Sequence, residues 1–296
     1  MVDSVKITSL SGRGTLFLRR GDRSSYWLDE IDWGQASGQH NTYRYLDQVG
    51  ASIVSTSIQP RALSLSGWVV ETADGTLRER CDFLNAFFSP VEDYELLCGD
   101  KKIAFRPDCS IIYSREFKEN NRKARRFLLQ ATCPFPLFSD STDKAVPFES
   151  ETKLFRFPAD FGRTQPLVFA VVGSAYNTAI NNQGGFAAGF VARIRFSGEV
   201  SGPCLTNLDT GEMIGVNHTF QNGEQLEIGT VSGAKHITLF SADGAKRDLI
   251  KHRDVRTSWF QLSPGVNHIA VSCTDTAQRD NMSVTLYYSP LYLEVE

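Results

Sequence analysis

One segment of the chain has helical periodicity, and strand-like segments lie on both sides of it. Thr76 and Glu79 form a capping-box pattern, in which the hydroxyl and the carboxylate satisfy free amides at a helix start. Pro90 ends the segment, because proline lacks the amide proton that a helix needs. The apolar residues of its single stripe are Leu77, Cys81, Leu84 and Phe88. The pattern predicts one helix laid on a sheet.

The segments around this helix alternate apolar and polar residues, as half-buried strands do. Residues 61–71 predict one such strand, and residues 94–98 with 101–106 predict a hairpin. We expect a second, longer hairpin from residues 110–117 and 124–132. This half of the chain therefore resembles a scaffold more than a catalytic domain.

Residues 34–50 are polar and rich in Gly, Gln and Asn, with few apolar residues at regular spacing. They predict a long loop or an extended arm. Long segments of this kind are uncommon in compact domains and tend to have a function.

From residue 166 onward, short strand-like runs are separated by turns that contain Gly, Asn or Asp. This spacing predicts a β-sandwich, with residues 282–296 as its last strand. A polar linker is expected at 139–165, so the predicted domains are 1–138 and 166–296. The predicted fold class is mainly β: an N-terminal β-barrel or sandwich-like domain with one helix and extended hairpins, followed by a C-terminal β-sandwich.

Charge and cysteine content exclude several classes of protein. The net charge of −3 provides no basic field that would attract nucleic acid or anionic lipid. The first residues lack the pattern of a signal peptide, and no run of about eighteen apolar residues predicts a membrane span. The six cysteines are scattered without a C-x-x-C pattern, so we expect free thiols in a reducing cytosol.

Residues that could carry chemistry are sparse. No common catalytic or nucleotide-binding motif occurs. His236 and His268 lie in strand patterns, but a metal site needs several ligands at fixed geometry. Trp259 is a candidate contact for a carbohydrate, with core packing as the alternative. We therefore predict no catalytic, metal-binding or cofactor-binding residue, no cofactor and no enzymatic activity.

Basic residues cluster on the second predicted hairpin, and three interpretations remain open. They could keep a solvated hairpin from aggregating, fix the register of a strand pair that adds to a neighbour's sheet, or face phosphates. The candidate residues of an interface between copies are Arg115, Phe117, Lys118, Arg122, Lys123 and Arg125 on this hairpin, and Tyr43 and Tyr45 on the arm.

The order of motifs over nearly the whole chain resembles the distal tail proteins of siphophages. In the N-terminal half, the resemblance rests on the strand from Pro60, the helix, Phe105-Arg-Pro107 and the segment 128–136. In the C-terminal half, the matching motifs are Pro166-Leu-Val-Phe, Gly202-Pro-Cys-Leu-Thr-Asn207, Asp209-Thr-Gly-Glu212, Asn222-Gly-Glu-Gln-Leu226 and Leu262-Ser-Pro-Gly-Val-Asn267. Each motif alone is mostly turn chemistry, so their order is the specific signal.

The resemblance implies a structural component of a phage or prophage tail tip. Its N-terminal domain would form a hexameric ring that joins the tail tube to the baseplate and the receptor-binding apparatus, and its C-terminal sandwich would be galectin-like. The expected partners are copies of itself, the tail tube protein, a tail-tip protein and a receptor-binding protein. No membrane is expected, DNA would only pass through the ring, and the chain would be made in the bacterial host's cytoplasm. The alternative function is a carbohydrate-binding module that contacts the host cell wall.

Overall fold

The structure, a computed structural model, describes residues 3–21, 24–47, 49–116, 118–153, 170–174 and 176–295. The chain divides into two compact units. The first contains Met1–Ser141 together with Tyr292–Glu296, and the second contains Thr142–Leu291. Each unit has its own hydrophobic core.

In the first unit, the described residues form strands and one α-helix. Its elements are β1 (Ser4–Ser9), β2 (Thr15–Arg19), β3 (Tyr26–Asp32), β4 (Gly38–Tyr43), β5 (Ser52–Ile58), β6 (Arg61–Val70), α1 (Leu77–Phe87), β7 (Tyr94–Cys98), β8 (Lys101–Pro107), β9 (Ile112–Tyr113), β10 (Ala124–Cys133) and β11 (Phe138–Asp140).

Seven of these strands close into a barrel. They follow the order β8-β7-β1-β2-β3-β6-β10, and β10 pairs again with β8. Side chains alternate between the barrel interior and its outside, as β6 illustrates with every second residue buried from Arg61 to Val69. Strands β9 and β11 add to the outside of the closed ring of strands. Closure leaves few free sheet edges on this unit.

The predicted helix is present as α1, and its capping box is confirmed. The backbone amide of Thr76 donates to Glu79 Oε2 at 2.9 Å, and the amide of Glu79 donates to Thr76 Oγ1 at 3.4 Å. These hydrogen bonds lower the pKa of Glu79. At the other end, the hydroxyl of Tyr94 donates to the carbonyl of Phe87 at 2.6 Å. The buried residues of the helix are Leu77, Cys81, Leu84 and Phe87.

The described residues of the second unit form the strands from β12 onward and two short 3₁₀ helices. Its strands are β12 (Lys144–Pro147), β13 (Glu149–Lys153), β14 (Ala170–Ser174), β15 (Asn177–Asn182), β16 (Phe190–Phe196), β17 (Val200–Ser201), β18 (Cys204–Asn207), β19 (Met213–Gly215), β20 (Thr219–Phe220), β21 (Gln225–Gly229), β22 (His236–Phe240), β23 (Lys246–Asp248), β24 (Gly265–Ser272) and β25 (Met282–Tyr288). The 3₁₀ helices are Ile250–His252 and Thr276–Asn281.

Two sheets make up most of this second unit. One has the order β12-β25-β16-β21-β22-β23 and the other has the order β15-β24-β18-β19. Their buried side chains belong to a single core, in which Phe196 and Phe220 stack with ring centroids 4.5 Å apart. The mainly β fold class predicted from the sequence is confirmed.

The structure differs from the predicted linker and from the predicted last strand. Residues Lys144–Pro147 of the expected linker form β12, which pairs with β25. A four-residue strand is too short to give a periodic signal in the sequence. Residues 154–165 of the linker lie outside the described residues. The run 282–296 is interrupted at Ser289-Pro290, and a short strand β26 (Leu291–Tyr292) follows and lies beside β11.

Candidate assembly surfaces

The arm predicted at residues 34–50 is a hairpin that extends to residue 58. Strands β4 and β5 pair with each other in a two-stranded sheet of their own, with a register shift after Asn41. Polar contacts join the two strands at residues 40–41 and 55–56. His40 Nδ1 lies 2.8 Å from Thr56 Oγ1, and Asn41 donates to Ser55 Oγ at 2.9 Å. All six residues of β4 are exposed. The arm therefore projects into solvent.

The far end of this hairpin carries many exposed apolar side chains, and we call its described residues, 43–47 and 49–54, the arm tip. The rings of Tyr43 and Tyr45 meet edge to face with centroids 4.9 Å apart. The exposed large hydrophobic side chains of the arm tip are Tyr43, Tyr45, Leu46, Val49, Ile53 and Val54. An isolated two-stranded hairpin is marginally stable in water, and clustered exposed apolar side chains mark interaction sites. The arm tip is therefore a surface that a partner would cover.

The second predicted hairpin is much shorter than expected. Its first strand is reduced to β9, which pairs with β10 at Leu128 and Phe127. Beyond this point the pairing is irregular: the amide of Arg126 donates to the carbonyl of Glu119 at 2.8 Å, and Asn121 Oδ1 accepts from the amides of Lys123 and Ala124 at 2.9 Å each. Asparagine competes with strand pairing by bonding to nearby backbone. Residues 114–116 and 118–123 therefore form an irregular loop, which we call the basic loop.

The interface candidates of this region lie on or beside the basic loop. Arg125 donates to Asn120 Oδ1 at 3.0 Å and its guanidinium lies 5.5 Å from the ring centroid of Tyr113. Arg126 joins the loop to the barrel through Glu119 at 2.8 Å and Asp29 at 2.9 Å. The exposed basic candidates are Arg115, Lys118, Arg122 and Lys123. Phe117 lies outside the described residues.

A groove opens between α1 and the basic loop, with a volume of about 1550 Å³. Leu77, Cys81 and Tyr113 form its apolar floor, and the hydroxyl of Tyr113 donates to the carbonyl of Cys81 at 3.1 Å. Burial raises the pKa of both the Tyr113 hydroxyl and the Cys81 thiol, so both stay neutral at pH 7. Of the predicted candidates, the groove brings together Arg122, Lys123 and Arg125. Sequence analysis missed the groove because its two walls are far apart in the chain.

In the second unit, Trp259 is partly buried and packs against the core. The ammonium of Lys235 lies 5.9 Å from the centroid of its ring. Lys235 therefore lies against one face of the Trp259 ring. Its role as a carbohydrate contact stays a prediction.

A polar network lies on the outer face of the six-stranded sheet. Arg193 donates to Glu227 Oε2 at 2.8 Å, and His236 Nε2 lies 3.2 Å from Glu227 Oε1. Burial alone would raise the pKa of Glu227, but the hydrogen bonds from Arg193 and His236 outweigh it and lower that pKa. His268, the other histidine singled out by its strand position, lies 2.9 Å from Asp209 instead. The two histidines therefore belong to separate hydrogen-bonded pairs.

In the described part of the chain, no group of three or more His, Cys, Asp or Glu residues is arranged to hold a metal ion. No helix in the same residues is both long enough and apolar enough to cross a membrane. All six cysteines are free thiols.

Comparisons with known proteins address the fold and the family. Residues 183–292 match the family model of the siphovirus-type tail component, C-terminal domain. No curated protein sequence matches the chain. Among solved structures, the crystal structure of the Dit protein (gp 19.1) of phage SPP1 matches with a TM-score of 0.64 and 14% identity, covering 98% of this chain and 99% of that one. It is described as a paradigm of the hub of the adsorption apparatus in phages that infect Gram-positive bacteria.

A second structure is the baseplate of phage P2 in its activated conformation with Ca, with a TM-score of 0.54 and 11% identity over 100% of both chains. Likenesses at this level of identity establish the shared fold, whereas the family match identifies the C-terminal part by its sequence. Residues 183–292 thus match the siphovirus-type tail component family by sequence, the whole chain shares the fold of the SPP1 protein, and both findings confirm the resemblance to siphophage distal tail proteins carried by the sequence.

Proposed function

We propose that the chain is a structural hub protein at the tip of a siphophage tail. Six copies would form a ring through their first units, and the ring would continue the tail tube and pass DNA through its centre. The second unit would carry or contact the tail-tip and receptor-binding proteins. The match to the tail component family and the likeness to a protein described as an adsorption hub support this role, and a structural role fits better than catalysis.

The observation that carries the proposal is the arm on the closed barrel. Most strands of a closed barrel are paired on both sides. Contacts between copies therefore have to be made by parts that project from the barrel. The arm projects with an apolar tip, which is costly to display on a protein that stays monomeric. A ring also requires a heterologous contact, in which two different surfaces of the same chain meet and the rotation closes.

The test is the oligomeric state of the purified full-length chain. A ring of six copies of a 33.0-kDa chain has a mass of about 198 kDa. We expect mass photometry to detect this species at micromolar concentration, and negative-stain images to show six-fold rings with a central opening. A chain that remains monomeric at every concentration, alone and with the tail tube protein, would contradict the proposal.

A further inference from the structure

The arm and the groove lie at opposite ends of the same strand. The arm leads directly into β6 at Arg61, and the amide of Gln59 donates to the carbonyl of Ser37 at 2.9 Å to close the base of the arm. The groove lies at the other end of β6, beside Glu71, whose amide donates to the carbonyl of Lys123 in the basic loop at 2.8 Å. A ten-residue strand separates the two by roughly 30 Å.

The arm does not fold back along its own barrel. All of β4 and the five central residues of β5 are exposed, which a hairpin lying on the barrel wall would not allow. The arm tip of one copy is therefore placed to meet a different copy. A contact between the arm end of one barrel and the groove end of the next is head-to-tail, the kind of contact that closes a ring.

The groove suits a chain segment better than a small molecule. Its volume of about 1550 Å³ exceeds the roughly 300–1,000 Å³ of small-molecule pockets. The apolar floor matches the apolar side chains of the arm tip. The basic residues around it, Arg78, Arg122, Lys123 and Arg125, outnumber the acidic Glu71 and Asp82. The apex of the arm tip carries a carboxylate, Asp47, next to Leu46.

We propose that the arm tip of one copy lies in the groove between α1 and the basic loop of the next copy. The aliphatic side chains of Leu46 and Val49 cover the floor, and Asp47 faces the basic residues of the loop. This inference rests on the proposed ring, and it assigns the two surfaces that build the ring. It also places the candidate residues Tyr43 and Tyr45 on one side of the contact. Arg122, Lys123 and Arg125 lie on the other side.

Site-specific photo-crosslinking tests the contact in the full-length chain. The photoreactive residue p-benzoylphenylalanine replaces Leu46, which is fully exposed and therefore tolerates the change. Copies labelled with ¹⁵N are mixed with unlabelled copies, assembled and irradiated, and crosslinked peptides are identified by mass spectrometry. We expect mixed-isotope peptides that join residue 46 to residues 71–85 or 113–125. The matched control places the same group at Val255, which is 98% exposed in the second unit, and should give no crosslink to the groove.

Three other outcomes would overturn the inference. Rings of the expected mass with crosslinks from residue 46 to any other region would refute it while leaving the hexameric hub intact. Rings with crosslinks only within single-isotope peptides would show that the arm tip contacts its own copy. A chain that remains monomeric, seen by mass photometry of the same samples, would remove both the ring and this contact.

Discussion

The guanidinium of Arg61 donates a hydrogen bond from Nη2 to the backbone carbonyl of Leu293, 232 positions away in the chain. Arg61 is 1% exposed, its guanidinium lies 5.0 Å from the ring centroid of Phe138, and the Glu294 carboxylate is 3.7 Å from Nη2. The residues after β26 are therefore held on the first unit by a buried cation.

Replacing this cation should loosen the end of the chain. Arg61→Ala leaves the carbonyl of Leu293 without its donor and opens a cavity. The substitution also removes two buried guanidinium nitrogens that lack a partner among the described residues, which offsets part of the loss. We expect a net loss of about 2 kcal/mol in the free energy of unfolding of the first unit. Hydrogen exchange at residues 293–295 should become faster. The matched control is Arg78→Ala on the exposed face of α1, and equal exchange in the two variants would contradict the prediction.

The capping box should account for much of the stability of the α1 start. Thr76→Ala removes the hydroxyl that accepts from the amide of Glu79, and loss of such a cap costs about 1 kcal/mol. Urea denaturation followed by circular dichroism should show this loss. Thr142→Ala, at an exposed bend position, is the control and should leave the midpoint unchanged. A midpoint for Thr76→Ala equal to that of the control would mean that packing alone positions the helix.

The effect of Glu79 should depend on pH. Its hydrogen bonds to Thr76 lower its pKa in the folded state, so its contribution to stability is complete above the unfolded pKa of about 4.3 and is lost as the pH falls through the lowered folded pKa. We expect Glu79→Ala to be less stable than the wild type at pH 7, and the two proteins to converge well below pH 4.3. A difference that persists at the lowest pH would assign the effect to packing or helix propensity.

Features that depend on residues close together in the chain were predictable from the sequence. The start of α1 depends on two residues three positions apart, and both partners of the capping box are visible in the sequence. The alternation of β6 appears in the burial of every second residue. The turn at Gly99, between β7 and β8, has a positive φ of 60°, which glycine adopts without strain.

Features built from distant residues were not predictable. Nothing near Leu293 indicates a contact with Arg61, because the pairing depends on the return of the chain after the second unit. The groove needs α1 and the basic loop to lie side by side, and the sequence pattern around residues 110–123 indicated a regular hairpin there. Asn120 and Asn121 form side-chain hydrogen bonds to the backbone of this loop, and the alternation of apolar residues does not report such bonds.

The thiol of Cys133 should resist alkylation in the native protein. Burial raises its pKa to about 12, so at pH 8 roughly one thiol in 10⁴ is ionised, compared with about one in four at the ordinary pKa of 8.5. Because the raised pKa belongs to the folded state, stability is lost as the pH rises above about 8.5. Iodoacetamide at pH 8 followed by peptide mass spectrometry should modify the half-buried Cys109 first. Equal rates for the two cysteines in the native protein would contradict this, whereas equal rates in urea are expected.

Charge on the arm tip should weaken assembly without unfolding the chain. Leu46→Asp and Val49→Asp replace fully exposed side chains, so the monomer keeps its fold, but in the proposed ring each carboxylate would have to be buried against the apolar floor of the groove. Loss of the buried apolar contact alone costs about 1.5–3 kcal/mol per side chain, which corresponds to a dissociation constant that is roughly 10 to 150 times higher. Dilution series by mass photometry measure this shift. Val255→Asp adds the same charge at an equally exposed valine of the second unit, and it should assemble like the wild type. If the three variants dissociate at the same concentration, the arm tip is outside the contact between copies and its apolar side chains must be covered by another tail protein.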